Sequence, residues 1–187
     1  MKTEALTTLL KKTGVILDGH FLLTSGRHSG RFLLCSQLLQ YPEEAEKVCR
    51  LLAEPFKGEG IDTVVGPAMG GVILAYEVAR ALNARALYTE KEDQAMAFKR
   101  GFRIEKGERI LVVEDAVTTG GSIQKTIDCI RREGVEPVAA AVMIDRTGGK
   151  LALGLPTRAL MTMDIESYSA DHCPLCRQGL PLTRPKT

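Results

Sequence analysis

The chain has 187 residues, 44% of them hydrophobic and 26% charged, the make-up of one ordinary globular domain rather than of a disordered or fibrous protein. Lys and Arg total 25 against 23 Asp and Glu, a net charge of +2, which excludes a polyanion-binding surface spread over the whole molecule but leaves room for a local basic site. Its apolar runs fall short of the ~20 residues a membrane span needs, and the charged amino-terminal pattern MKTEALTTLLKKTG does not read as a secretory signal.

In chain order, residues 1–13 are expected to form an amphipathic helix on Leu6, Leu9 and Leu10, closed by Gly14. Residues 15–40 read as irregular to β-like. Pro42 with Glu43 and Glu44 opens a helix to about Pro55, with Ala45, Val48, Leu51 and Leu52 on one face. IDTVVGP is a buried strand, GGVILAYEVARALN a helix stopping near Asn83, and ARALYTE a strand. Residues 91–107 are charged without a clear period, as in a loop or short ribbon. RILVVED is the strongest strand signal, followed by the helix GSIQKTIDCIRREG and by the strands PVAAAVMID and ALMTMDI. Continuous apolar strands alternating with helices predict an α/β fold with a parallel sheet covered on both faces. In such sheets ligands bind beyond the carboxyl ends of the strands.

Two segments at those ends carry chemistry. In VVEDAVTTGGS a buried strand runs into Glu114 and Asp115, and Thr118-Thr119-Gly120-Gly121-Ser122 then opens a helix. Glycines expose successive N–H groups, the hydroxyls add donors and the helix start adds a positive dipole, so the loop is a phosphate cradle. The carboxylates suit sugar hydroxyls or a metal ion. The pattern is neither of the common nucleotide loops. GPAMGG, residues 66–71, offers a second set of N–H groups at another strand end; alone it reads equally well as a tight turn.

VVEDAVTTGGS resembles the phosphoribosyl-pyrophosphate (PRPP) signature of the type I phosphoribosyltransferases. HFLLTSGRHSGRF and Asp145-Arg146 resemble the orotate branch in particular. The resemblance spans about residues 14–170. It implies a single phosphoribosyltransferase domain over 1–187: a five-stranded parallel sheet flanked by helices (about 60–165) and a small hood, mainly 14–40 with the tail 165–187. It implies transfer of phosphoribosyl from PRPP to orotate, with Mg²⁺ carried by PRPP and no direct protein ligation of metal. By position, Glu114 and Asp115 hold the ribose hydroxyls. Ala116, Val117 and the stretch Thr118, Thr119, Gly120, Gly121, Ser122 wrap the 5′-phosphate, and Gly70 and Gly71 receive pyrophosphate. Thr118, Arg146 and Phe32 are assigned to orotate. The alternatives are ordinary core for Phe32 and a surface ion pair for Arg146. A phosphoribosyltransferase for another base and a non-catalytic PRPP-sensing regulator remain open as functions.

Two departures stand out. Better-known members carry Lys before Ser-Gly-Arg where this chain has Thr24, and their mobile loop Arg-Lys-x-x-Lys-x-His corresponds here to Glu90-Lys91-Glu92-Asp93-Gln94-Ala95-Met96. The expected catalytic cations are therefore Lys91 with Lys99 and Arg100, and Arg103 beside them; a solvated charged loop is the other reading. The family's loop reaches a partner's site, so the resemblance also implies a homodimer. The expected partners are PRPP and orotate, with neither nucleic acid nor membrane.

The cysteines are Cys35, Cys49, Cys129, Cys173 and Cys176, and the odd number fits a reducing cytoplasm. Cys35, Cys49 and Cys129 read as core. His172-Cys173-Pro174-Leu175-Cys176 offers half of a tetrahedral metal site with His172 as a third ligand. His20 and His28 are too distant in sequence to be assigned, and a redox pair or a plain structural tail are the other readings. The last residues, LPLTRPKT, read as a poorly ordered end.

Overall fold

The computed structural model describes residues 3–23 and 25–185; Thr24, where the chain departs from the family's lysine, lies outside the described residues. The chain divides into two compact units, Leu39–Met163 and Met1–Leu38 with Asp164–Thr187.

In the larger unit, α3 (Pro42–Ala53) starts on the proline, with Glu43 and Glu44 in its first turn, and buries Ala45, Val48, Cys49 and Leu52 at helical spacing. A sheet follows in the order β5-β4-β3-β6-β7-β8, built from β3 (Thr63–Pro67), β4 (Arg85–Glu92), β5 (Ala95–Phe98), β6 (Ile110–Val117), β7 (Ala139–Asp145) and β8 (Thr157–Thr162). Helix α4 (Gly70–Leu82) links β3 to β4 and ends on Asn83 in the left-handed region. Helix α5 (Gly121–Arg132) links β6 to β7.

Side chains alternate across the sheet with period two. Val64, Leu111, Val113 and Ala141 pack on one face under Cys49 and Leu52 of α3 and Leu74 and Val78 of α4. Val65, Ile110, Val112 and Val142 pack on the other under Ile123, Ile127 and Ile130 of α5. Burial on both faces explains why β3, β6 and β7 are continuous apolar runs.

Five strands, β4, β3, β6, β7 and β8, are parallel, as expected. The sixth, β5, was not expected as a sheet member: β4 continues to Glu92, turns at Asp93 (φ 50°) and returns antiparallel with Lys91 opposite Met96. Only Met96 of that return is buried, so the segment carries little apolar signal.

In the smaller unit, α1 (Thr3–Lys12) leads into an antiparallel hairpin of β1 (Ile16–Leu22) and β2 (His28–Leu33), followed by α2 (Ser36–Leu39). The carboxyl-terminal segment adds to both strands: His28 and Tyr168 exchange backbone bonds of 2.8 Å, and Thr183 N–H donates to His20 O at 2.8 Å. Cys173 precedes a single helical turn, α6 (Pro174–Arg177). The tail is therefore ordered through Thr183, against the expectation of a loose end, because its backbone groups complete the hairpin edges.

Ile127 is fully buried between α5 and the sheet. Ile127→Ala should lower the unfolding free energy by about 3 kcal/mol, read from urea denaturation with an unchanged slope.

Candidate functional site

The sheet order places the site. After β3 the chain crosses to β4 on one side, and it later enters β6 on the other side of β3. The crevice beyond the carboxyl ends of β3 and β6 is thus a topological switch point, where open α/β sheets bind ligands. The two Gly-rich loops singled out in the sequence are the ones that follow these two strands. They approach each other closely: a Cβ added to Gly70 would lie 2.5 Å from Asp115 Oδ2. Only glycine lets the first turn of α4 come against that carboxylate. The peptide between Ala68 and Met69 in this loop is cis.

Glu114 and Asp115 end the buried run of β6. The Glu114 carboxylate accepts from Asp115 N–H at 3.3 Å, and Asp115 accepts from Ala116 N–H at 2.7 Å. Burial, aided by the neighbouring Asp115, pushes the Glu114 carboxyl up to about 8. Burial raises Asp115 as well. Beyond these backbone N–H groups the two carboxyls bond to each other, so the pair is short of positive charge.

Beyond Val117 the chain bends into the cradle. Gly120 adopts φ +78°, where an added Cβ would also meet Leu151 at 2.9 Å, and no side chain caps α5. The first N–H groups of α5 are left facing outward for an anion. Thr118, Thr119, Gly121 and Ser122 are exposed around them.

These residues line a cleft of about 340 Å³ together with Glu114, Lys91 and Lys125. Of the expected cations, the structure brings Lys91 to this cleft. Lys99 instead pairs with Glu92 at 3.3 Å, and the Arg100 guanidinium forks onto Glu90 at 2.7 and 3.2 Å. Both are neutralised across the β4–β5 ribbon, and Arg103 is exposed. Lys125 was missed by sequence reasoning. Its signal was its place four residues after Gly121, on the first exposed turn of the helix.

Arg146 follows β7, and its backbone N–H donates to Val117 O at 2.9 Å, beside the cradle strand. Asp145 is buried and accepts from Thr147 N–H at 2.7 Å, holding that turn. Phe32 belongs to the smaller unit, where its ring lies 5.7 Å from that of Phe21.

The Phosphoribosyl transferase domain family matches residues 35–154. An orotate phosphoribosyltransferase of Caldicellulosiruptor saccharolyticus is 50% identical over 185 residues, 99% of this chain and 97% of that protein. Among solved structures, an orotate phosphoribosyltransferase from Aeropyrum pernix is similar with a TM-score of 0.70 at 31% identity, over 84% of this chain and 93% of that one. An adenine phosphoribosyltransferase from Rhodothermus marinus is similar with a TM-score of 0.65 at 25% identity, over 84% of this chain and 99% of that one.

The Glu114 carboxyl gives a stability test. Between its ordinary value of 4.5 and about 8, the folded chain keeps a proton that the unfolded chain has lost. Stability therefore falls as pH rises through that window. Glu114→Gln is neutral throughout, so it should raise the melting temperature more at about pH 9 than at about pH 5, with each kcal/mol read as about 2–4 °C. An equal change at both pH values would contradict the burial of an unmatched carboxylate.

Proposed function

The chain belongs to the phosphoribosyl transferase family, and we propose that it transfers the 5-phosphoribosyl group of PRPP to orotate, giving orotidine 5′-monophosphate and pyrophosphate in pyrimidine synthesis. One observation carries the reading: the pair Glu114–Asp115, with the glutamate buried, stands between two N–H-rich loops at the switch point. A diol flanked by phosphate groups matches that layout group for group.

In this reading, Glu114 and Asp115 accept from the ribose hydroxyls. Ala116 to Ser122 enclose the 5′-phosphate, and Gly70 and Gly71 face pyrophosphate. Mg²⁺ fits the same place, since a donor-poor carboxylate pair gains from nearby positive charge. Brought in with PRPP, the ion would neutralise pyrophosphate charge, and Glu114 and Asp115 are the residues that would hold it there. The bond from ribose C1 to the pyrophosphate oxygen breaks, its electron pair leaving with pyrophosphate, as the bond to an orotate ring nitrogen forms and that nitrogen's proton passes to solvent. No side chain acts as nucleophile, so the work is positioning and stabilisation of the leaving charge.

Lys91 is the leading cation for pyrophosphate, with Lys125 beside it at the cleft. Lys99 and Arg100 become available for that task if their ion pairs with Glu92 and Glu90 open. Arg146 is assigned the orotate carboxylate, which a planar guanidinium grips well, and Thr118 the base. The assignment of Phe32 to the base rests on the resemblance alone, as does that of a hood to the smaller unit. A homodimer is supported by Met69, Ile73 and Tyr76, which are exposed by 84%, 48% and 62% and recur at helical spacing from the N-cap of α4 onward. A cytoplasmic location agrees with five free cysteines; among the described residues no helix is long and apolar enough to cross a membrane.

The test is loss of orotate absorbance on mixing the chain with PRPP, Mg²⁺ and orotate. Turnover of uracil or a purine but not orotate would overturn the base assignment. PRPP binding without turnover of any base would overturn catalysis. Lys91→Ala should lower kcat by about 10- to 100-fold while changing the KM for orotate by less than about threefold; an unchanged kcat would remove Lys91 from the chemistry.

A further inference from the structure

We propose that the smaller unit holds a structural zinc ion on His20, His28, Cys173 and Cys176. The four residues come from three elements: β1, β2, and the Cys-Pro-Leu-Cys turn that forms α6. One ligand atom from each lies within 4.8 Å of all the others. His20 Nε2 is 3.0 Å from His28 Nδ1. Cys176 Sγ is 3.3 Å from His28 Nδ1 and 3.7 Å from His20 Nε2, and Cys173 Sγ is 3.5 Å from His20 Nε2.

These four distances, 3.0 to 3.7 Å, are four of the six edges of a tetrahedron close to the size zinc requires, the nitrogen–nitrogen edge being a little short. Zinc–nitrogen bonds near 2.05 Å and zinc–sulfur bonds near 2.3 Å place the ligand atoms about 3.3 to 3.8 Å apart. Two thiolates and two neutral imidazoles also balance the charge of the ion, which suits burial. His20, His28 and Cys173 are buried, with Cys176 at the outer corner. A second layer is present too. His20 Nδ1–H donates to Leu180 O at 2.9 Å, which fixes the tautomer that turns the Nε2 lone pair inward, the arrangement that orients metal-bound histidines. No other cluster of three or more such side chains occurs among the described residues.

The site has a purpose in the fold. Both large apolar clusters, those packed on the two faces of the sheet, lie in the larger unit. The smaller unit has a hairpin, short helices and a tail to hold together, and units of that size commonly need a staple. Zinc would clip the turn at 173–176 onto both hairpin strands, next to the backbone pairings of His20 with Thr183 and of His28 with Tyr168. His172, one possible third ligand in the sequence, is exposed on the turn before Cys173 and outside the set. The site also departs from the expectation that no side chain ligates a metal. It stands outside residues 35–154, the span of the family match, and is independent of the PRPP reading.

Binding replaces the two thiol protons by the metal, releasing them to solvent. The test uses the full-length chain, reduced, with no substrate. Elemental analysis should find about one zinc per chain. After chelator stripping, Co²⁺ should give thiolate-to-metal absorption in the near ultraviolet and the intense visible bands of tetrahedral cobalt. Zn²⁺, and not Mg²⁺, should restore the melting temperature of the stripped chain. The double variant Cys173→Ser/Cys176→Ser should retain at least tenfold less zinc, and His172→Ala should retain it in full. A wild-type chain that stays zinc-free when offered Zn²⁺, an octahedral cobalt spectrum, iron in place of zinc, or full zinc in the double variant would each overturn the proposal. The cobalt and stripping measurements stand on the native chain, so they decide even if the variants fail to fold.

Discussion

Two adjacent carboxylates at the end of a buried strand set the terms for the rest of the larger unit. Glu114 and Asp115 lose hydration and gain little from the protein in exchange: backbone N–H groups at 3.3 and 2.7 Å, and otherwise a hydrogen bond to each other, with no positive charge among these partners. Desolvation of a carboxylate without a partner is among the costlier features a fold can carry. The proton held by Glu114 to about pH 8 expresses that cost. A sequence keeps such a pair when a ligand supplies the missing donors, and the surroundings are shaped to admit one. Gly70 leaves the space against Asp115 that any side chain would fill.

The strand order makes this arrangement available. Because β3 and β6 are neighbours while their connections depart in opposite directions, two helix-start loops open onto one crevice. Backbone N–H groups then serve anions without a strongly basic surface. A net charge of +2 is thus compatible with a heavily phosphorylated substrate. Lys91 and Lys125 add local charge at the cleft, where a few cations act more strongly than many spread over the surface.

What could be read in the sequence follows from how local each signal is. Strand, carboxylate pair and cradle lie within residues 110–122, so one pass along the chain found them together. The parallel core was equally legible, since burial on both faces writes continuous apolar runs. β5 was not, because it pairs at an edge and buries only Met96. Lys125 looked like any solvated helix residue until α5 was placed beside the cleft. The His–Cys cluster was the least legible of all. His20 and Cys173 are separated by more than 150 positions, and the visible Cys-x-x-C pointed to His172, its nearest neighbour in sequence, rather than to the two histidines the hairpin brings alongside. The charged ribbon was misleading in the other direction: Arg100 and Lys99 look like free cations in the sequence, but carboxylates on the facing strand hold them.

The most direct test of the account is the proton balance of PRPP binding. Calorimetric titration of the chain with PRPP and Mg²⁺, in buffers of different ionisation enthalpy at about pH 7, counts protons released. If the ribose hydroxyls and the accompanying cation supply what the buried pair lacks, Glu114 ionises on binding. The native chain should then release up to about one proton more than Glu114→Gln, since a group titrating near 8 is mostly protonated beforehand. Equal proton release by the two chains, at comparable occupancy, would contradict the placement of PRPP on the carboxylate pair.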